Sequence, residues 1–297
     1  MLGFRKAKHV QVLPDPSELS QAIGDAARDL CQDTQTIKRS LPDVAADVMA
    51  LCQQSSTDAL RIEKSVTRDP FISAQIVTVS NSPMFAPRMP IVSVRDAIVR
   101  IGLSNVNDIV MMVVTSSTMF RVRGFDEHVT RVTSRFPATA LAARLIAQAL
   151  CLPMESAFTA GLLHDIGDLI LLDRCVKTGK IRPEMAQEPV LYSVIMDALH
   201  ANHAKVGAAV CTIWKLPSST VEAASHHHDY KLGGHHFSAN LVAAADTFAD
   251  IMGIGVPNKR ICDPAETVFK DLGLKTEQVA STLDQFGKLL PSVRIFK

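Results

Sequence analysis

Glu155-Ser156-Ala157-Phe158-Thr159-Ala160-Gly161-Leu162-Leu163-His164-Asp165-Ile166-Gly167-Asp168-Leu169-Ile170-Leu171-Leu172 reads as a long, apolar helix. Residues 138–150 and 190–214 are helical in the same way, and together these stretches set the fold class. Within the first of them His164 and Asp165 stand in apolar surroundings. Burying such a pair is costly unless both side chains find partners. A divalent metal would supply one, since imidazole and carboxylate both suit Mn, Fe and Zn. Alternatively, Asp165 only orients a buried, neutral His164, because structural polar pairs also perturb pKa values.

The helical period continues on the N-terminal side. Val44, Val48 and Leu51 fall on one face after a cap expected at Ser40, with Pro42 in the first turn. Asp69-Pro70 reads as an N-cap followed by the first helical residue, and Ile72, Ile76 and Val79 follow on one face. Ser93-Val94-Arg95-Asp96 resembles a capping box and opens a helix carrying Val94, Ala97, Ile98 and Ile101, which Gly102 is placed to end. Residues 109–114 are short, apolar and β-branched, but no alternating partner strand lies nearby, so a buried helix is expected. Two tyrosines, one tryptophan and few alternating runs leave little material for a sheet. The expected fold is all-α, a multi-helical bundle preceded by a smaller helical subdomain.

The pattern divides the chain into residues 1–39, an extension with one amphipathic helix at 19–30; 40–125, short helices joined by turns such as Asn81-Ser82-Pro83; 126–250, longer helices; and 251–297, a helical C-terminal extension. Residues 1–39 are expected to act as a lid or to bind a partner. Eight of the ten histidines lie after residue 160.

Composition narrows the class. With 47% hydrophobic and 21% charged residues, 31 Lys+Arg balance 30 Asp+Glu, leaving a formal charge of +1. No basic excess or stripe favours nucleic acid as a partner. No uninterrupted apolar run approaches the roughly 18 to 20 residues that span a bilayer. Arg5, Lys6 and Lys8 are followed by no apolar core, so the start is not a signal peptide and cytoplasmic residence is expected. Cys31, Cys52, Cys151, Cys175, Cys211 and Cys262 form no C-x-x-C pair and are expected as buried thiols.

Other candidate groups are weaker alone. His200-Ala201-Asn202-His203 contains two histidines, of which nothing else points to His200. Ser225-His226-His227-His228-Asp229 precedes Gly233-Gly234-His235-His236. Successive helical side chains diverge by about 100°, so one or two of the triplet could face a common site. A polar helix end is the reading for His226, His235 and His236. Asp246 follows three alanines on a small, apolar face. Serine-hydrolase elbows, Walker loops, G-x-G-x-x-G and H-E-x-x-H are absent, which removes those chemistries.

Taken in order, these pieces resemble the HDOD family, the HD-related output domains of bacterial signalling proteins. The resemblance runs from Leu41-Pro42 through Asp69-Pro70, Asn81-Ser82 and the segment from Ala97 to Gly102. It continues through Gly161 to Gly167, His203-Ala204-Lys205-Val206-Gly207, Trp214-Lys215-Leu216-Pro217 and His227-His228, covering roughly residues 40–250. It implies an all-helical regulatory domain. The wider HD superfamily, with the HD-GYP cyclic-dinucleotide phosphodiesterases as its closest catalytic comparison, implies metal ligands at His164, Asp165, His203, His227, His228 and Asp246. Those enzymes use metal ions to activate water against a phosphoester.

The sequence departs from that pattern in three places. An early ligand histidine, due at the start of a helix over 136–150, is Arg135, which cannot ligate a metal and would repel a dication. His128, two turns earlier, is about 10 Å away along a helix axis. A lysine often found after the motif is Asp168, and no Gly-Tyr-Pro loop follows the paired histidines. The expectation is a degenerate metal or phosphate site that binds one divalent ion (Fe, Mn, Zn or Mg) rather than two and acts without turnover. Arg135 would contact a phosphate-bearing ligand, and a signalling protein or that ligand would be the partner. An active phosphohydrolase on a nucleotide or cyclic dinucleotide is the alternative. The metal reading requires the candidate ligands to converge on one coordination sphere.

Overall fold

The computed structural model describes residues 13–54, 57–117, 120–152, 156–255 and 265–293. Arg5, Lys6, Lys8, Glu155 and Cys262 lie outside these residues. Fourteen α-helices and no strand occur among the described residues. They are α1 (Pro16–Gln32), α2 (Thr34–Ser40), α3 (Asp43–Cys52), α4 (Ala59–Val66), α5 (Pro70–Ser80), α6 (Val94–Ser117) and α7 (Asp126–Ala149). The chain continues through α8 (Ala157–Leu163), α9 (Ile166–Lys177), α10 (Pro189–Ile213), α11 (Ser218–His226), α12 (Phe237–Ile251), α13 (Ala265–Asp271) and α14 (Thr276–Leu289).

Aspartate caps start several of these helices. Asp15, Asp33, Asp58 and Asp69 each accept a backbone N–H of the first turn, which satisfies a donor the helix itself leaves unpaired. Asp69 with Pro70 behaves as expected, and Ile72, Ile76 and Val79 are buried. Ser93 Oγ accepts from Asp96 N at 3.0 Å, and Gly102 (φ 82°) breaks the helical path of α6. Residues 109–114 lie in α6 and are buried as a helix.

One start differs. Ser40 ends α2, donating its hydroxyl to Ile37 O, and the N-cap of α3 is Pro42. Pro42 has no N–H to lose and a φ of −58°. The buried face of α3 is accordingly Ala45, Val48 and Met49, while Val44 and Leu51 are half-buried.

α7 packs on α8 and α12, α9 and α11 pack on α10, and α11 also meets α12. α1 buries Leu19, Ile23, Ala26, Ala27 and Leu30 against α9 and α10, and Trp214 Nε1 donates to Ile37 O at 3.1 Å. Buried apolar residues from Leu19 to Val293 form one connected core. One described helix, α6, has the length and composition to cross a bilayer; its apolar window is 56% buried within the fold and interrupted at Gly102. The cysteines depart from the expected burial: Cys175 and Cys211 are buried, Cys31 and Cys52 half-buried, and Cys151 exposed, all as free thiols.

A buried carboxylate joins the N-terminal helices to those that carry the site. Asp108 of α6 accepts from Thr159 Oγ1 of α8 at 2.7 Å, and Arg144 of α7 donates to Asn105 Oδ1 at 2.8 Å beside it. Burial pushes the Asp108 carboxyl up to about 7, against the bond from Thr159 and the charge of Arg144. A carboxyl whose pKa is raised by folding favours the folded state at low pH, and that contribution is lost as pH rises from its ordinary value toward 7. Asp108→Asn is therefore expected to gain about 1–2 kcal/mol relative to the parent protein when urea unfolding is compared at pH 8 and pH 5. An equal difference at both pH values would contradict a carboxyl titrating near 7.

Candidate metal centre

The stretch expected as one helix is two. α8 ends at Leu163, α9 begins at Ile166, and Asp165 (φ −101°, ψ 10°) leaves the helical path between them. Glycines on either side show why. At Gly161 an added Cβ would lie 2.7 Å from Thr139 O of α7. At Gly167 it would lie 2.1 Å from His203 O and 2.4 Å from Gly207 N of α10. α8 thus seats its backbone on α7 and α9 on α10, and the bend between these contacts puts His164 and Asp165 at the junction. Gly167→Ala is expected to cost at least about 2 kcal/mol in thermal or urea unfolding, because a backbone-to-backbone contact must open. It would also shift His203; unchanged stability would show that α10 can yield without cost.

Four residues from three parts of the chain meet at this junction. Asp165 Oδ1 lies 3.3 Å from His203 Nε2 and 3.2 Å from His227 Nε2, and those two nitrogens are 3.2 Å apart. His228 Nε2 is 2.8 Å from His203 Nε2. The ligand atoms of all four lie within 4.8 Å of one another. The tautomers follow from the other ring nitrogens. His203 Nδ1 sits 2.8 Å from His200 O, and His227 Nδ1 3.1 and 3.2 Å from Ala223 O and Ala224 O. A carbonyl only accepts, so each Nδ1 carries the proton and, in a neutral ring, each Nε2 presents a lone pair. Three acceptors thus face each other across a triangle of 3.2–3.3 Å.

That arrangement is repulsive without a proton or cation between the acceptors. Ligands about 2.1 Å from a shared ion stand roughly 3.0–3.4 Å apart, so the spacing fits a metal. Protonation points the same way. Burial, with His227 and His203 beside it, holds His228 well below the usual imidazole range; burial also lowers His227. Both keep a lone pair near neutral pH. For His203 burial is outweighed by Asp165, which raises it. Asp165, despite the cost of burial, is held well below the carboxylate range by His164, His203 and His227. Asp165, His203, His227 and His228 could therefore hold a metal ion.

The other two predicted ligands do not join that set. Asp246 Oδ1 accepts from Arg135 Nε at 2.5 Å and from Thr139 Oγ1 at 3.3 Å. Arg135 also pairs with Asp250 at 2.7 Å and donates to Ile254 O and Asp246 O. His164 Nδ1 donates to Gly161 O at 2.8 Å. Its Nε2 is 3.2 Å from Asp165 and 3.4 Å from Asp246, yet has hydrogen-bond geometry with neither. The two carboxylates outweigh burial and raise His164 to about 10. Of the six candidates, Asp165, His203, His227 and His228 offer ligand atoms within 4.8 Å of one another, while His164 Nε2 stands 3.2 Å from Asp165 and 3.4 Å from Asp246, the carboxylate that Arg135 also engages.

Arg135, expected as a phosphate contact, is engaged within the fold. It is 3% exposed and its guanidinium faces inward onto carboxylates and carbonyls, so an incoming phosphate would have to displace those partners. It lies mid-helix rather than at a helix start, since α7 begins at Asp126 and runs through Pro137. His128, on the same helix, stays outside the cluster and pairs with Asp168 at 2.7 Å, which gives that departure from the HD-GYP pattern a local partner. Of the remaining histidines, His226 stacks on His236 at 3.9 Å and His235 approaches Asn240 at 3.3 Å, away from the four ligands. His200, to which nothing else in the sequence points, lies beside the cluster. Its ring lies 4.6 Å from that of His228 and 5.1 Å from that of His203, and its place one helical turn before His203 was the available signal.

The all-helical fold is HD-like, and solved structures share it. A protein from Shewanella amazonensis SB2B, provisionally named a metal-dependent phosphohydrolase, is 20% identical with a TM-score of 0.64, over 92% of this chain and 99% of that one. A protein from Marinobacter aquaeolei VT8, provisionally named a signal transduction protein, is 19% identical with a TM-score of 0.65, over 94% and 67%. An HDOD domain protein of unknown function from Geobacter sulfurreducens is 19% identical with a TM-score of 0.59, over 86% and 92%. An uncharacterized protein of Treponema pallidum (strain Nichols) is 20% identical over 228 residues, 75% of this chain and 42% of that protein, so the chain spans less than half of that relative's length. The family model for the HDOD domain matches residues 39–230, and the chain belongs to that family.

Proposed function

We propose that this chain is a regulatory signalling domain that holds one divalent ion and acts through binding rather than turnover. The ion is held by Asp165, His203, His227 and His228. The observation that carries this reading is the triangle of acceptors, Asp165 Oδ1, His203 Nε2 and His227 Nε2, at 3.2–3.3 Å. A set of three imidazoles and one carboxylate suits Zn, Fe or Mn better than Mg.

Arg135 supports the choice of one ion. Its fixed charge already neutralises Asp246, and a second cation beside that carboxylate would meet the same charge. When bound, the ion supplies positive charge and Lewis acidity at Asp165. The chain's own residues fix the His203 and His227 imidazoles through backbone carbonyls and hold α8, α9, α10 and α11 at one junction, so ion occupancy would bear on the packing of four helices. A protein partner or a phosphate-bearing ligand would read that state, in the cytoplasm; with a net charge of +1, nucleic acid is not favoured.

The test is metal content of the purified protein, followed by assays of cyclic dinucleotides and generic phosphodiesters with Mn, Fe and Mg. One tightly held ion per chain without turnover is expected. Hydrolysis that vanishes in Asp165→Ala would overturn binding-only action and favour the phosphohydrolase reading, which the Shewanella protein's name also suggests. A chain with no bound ion and no uptake would leave the polar cluster purely structural.

A further inference from the structure

α3, α4 and α5 pack on α6, and α6 in turn packs on α7 and α8, which lead into the cluster. Polar contacts lie in that otherwise apolar seam. Asp108 of α6 and Thr159 of α8 are both buried, and the Thr159 hydroxyl donates to the carboxyl at 2.7 Å. Arg144 of α7 donates to Asn105 Oδ1 at 2.8 Å and lies over the Phe85 ring at 5.5 Å. α8 runs directly into His164, whose ring donates back to Gly161 O of the same helix at 2.8 Å. A shift of α8 at Thr159 is therefore carried to the His164-Asp165 junction.

Little charge faces Asp108 from the elements around it. α5 and α8 carry no titratable side chain. On α7, Arg144 is the cation that acts on it, and its guanidinium is already engaged by Asn105 and Phe85. The other charged groups of α7 are turned elsewhere: His128 to Asp168, Arg131 to Glu127 and Arg135 to Asp246, with Asp126 exposed. From α3, the Cys52 thiol is pushed up to about 11, by burial first and by Asp108 second, so it stays neutral, while Asp43 and Asp47 are exposed. On α4, Glu63 pairs with Arg95 of α6, and Arg61 and Lys64 are exposed. Within α6, Asp96 pairs with Arg100. Burial thus outweighs Thr159 and Arg144, and the Asp108 carboxyl changes charge near neutral pH.

We infer that the seam between α6 and α8 is a proton-linked contact: a proton on Asp108 closes it, and release of that proton loosens it and, through α8, the junction at His164 and Asp165. With the proton on, the seam holds a neutral acid whose oxygen accepts from Thr159. With the proton off, an anion stands in an apolar interface beside one cation that already has other partners. Parting α6 from α8 lets water reach that anion, which removes the cost of its burial. The inference is independent of whether an ion occupies the cluster.

The experiment is amide hydrogen exchange of the full chain across neutral pH, with each rate corrected for its intrinsic pH dependence. An opening that exposes one carboxyl grows by up to about tenfold for each pH unit above the pH at which that carboxyl titrates in the closed form. Protection over residues 103–110 and 157–168 is therefore expected to fall about 5- to 10-fold per pH unit above pH 7. α1 and α10 should keep theirs. Asp108→Asn should show no such fall. Thr159→Val, which removes the bond that favours the charged carboxyl, should move the onset to higher pH. Protection in the parent that does not change with pH, or that falls equally in Asp108→Asn, would overturn the inference. So would an equal fall in α1 and α10, which would make Asp108 a determinant of global stability alone. An onset unmoved in Thr159→Val, or a fall confined to 103–110, would break the link to α8 and overturn it as well.

Discussion

Replacing Arg135 by methionine is expected to destabilise the fold by about 3–5 kcal/mol in urea unfolding at pH 7. Arg135 and Asp246 are each 3% exposed at the side chain, so the loss of one leaves the other as an uncompensated charge in the interior. Its guanidinium also serves Asp250, Ile254 O and Asp246 O, none of which methionine can satisfy. Burial opposes the charge on Arg135, yet Asp246 and Asp250 more than offset it. Asp246 likewise is held well below the carboxylate range despite burial, first by Arg135 and then by His164.

The pH dependence follows from the sign of that shift. A carboxyl whose pKa folding depresses contributes stability above its unfolded value, and that stability is lost as pH falls below it. In Arg135→Met the main depressing charge is gone and burial drives the Asp246 pKa upward, so the variant favours a protonated Asp246. Parent and variant should therefore differ most at neutral pH, and the difference should narrow on acidification as Asp246 of the variant takes up a proton. A difference below about 1 kcal/mol at pH 7 would mean that water or a rearranged His164 replaces the guanidinium.

Asp165→Asn carries the second large effect, on metal uptake rather than on folding. The amide keeps the shape of the side chain but gives up the negative charge that His203, His227 and His164 all face. Supporting partners of metal ligands contribute about 10- to 100-fold to affinity, so removal of the proposed anionic ligand should cost more than 100-fold in Zn2+ titration. In the ion-free protein the variant should also lower His164, because Asp165 is the larger of the two charges that raise it. In the parent protein, protons compete with the ion for His203, whose pKa Asp165 raises, so affinity should weaken on acidification. Asp165→Asn protein that binds Zn2+ as tightly as the parent would place the ion elsewhere.

Much of this could be read from residue order. Caps at Asp69 and Ser93, the break at Gly102 and the buried run 109–114 are local events within a few residues, and local sequence specifies them. Asp165, His203, His227 and His228 were also legible, through the ordered motifs of the HDOD family rather than through periodicity. The bend at His164-Asp165 was not. An apolar run from Ala157 to Leu172 reads as one buried helix, whereas the bend arises because Gly161 meets α7 and Gly167 meets α10. Nothing within the stretch says that its two halves have different partners.

The sequence by itself determined the all-helical class, the helix starts at Asp69 and Ser93 and the family, because each depends on residues close together or in a fixed order. Only the tertiary structure brought Asp165, His203, His227 and His228 within 4.8 Å of one another and set Arg135 against Asp246. That arrangement depends on distances between residues 24 to 111 positions apart in the chain. It also turned Arg135 inward and brought His200 to the edge of the cluster. Periodicity reports which face of a helix is buried; which charge it is buried against is set by how the helices pack.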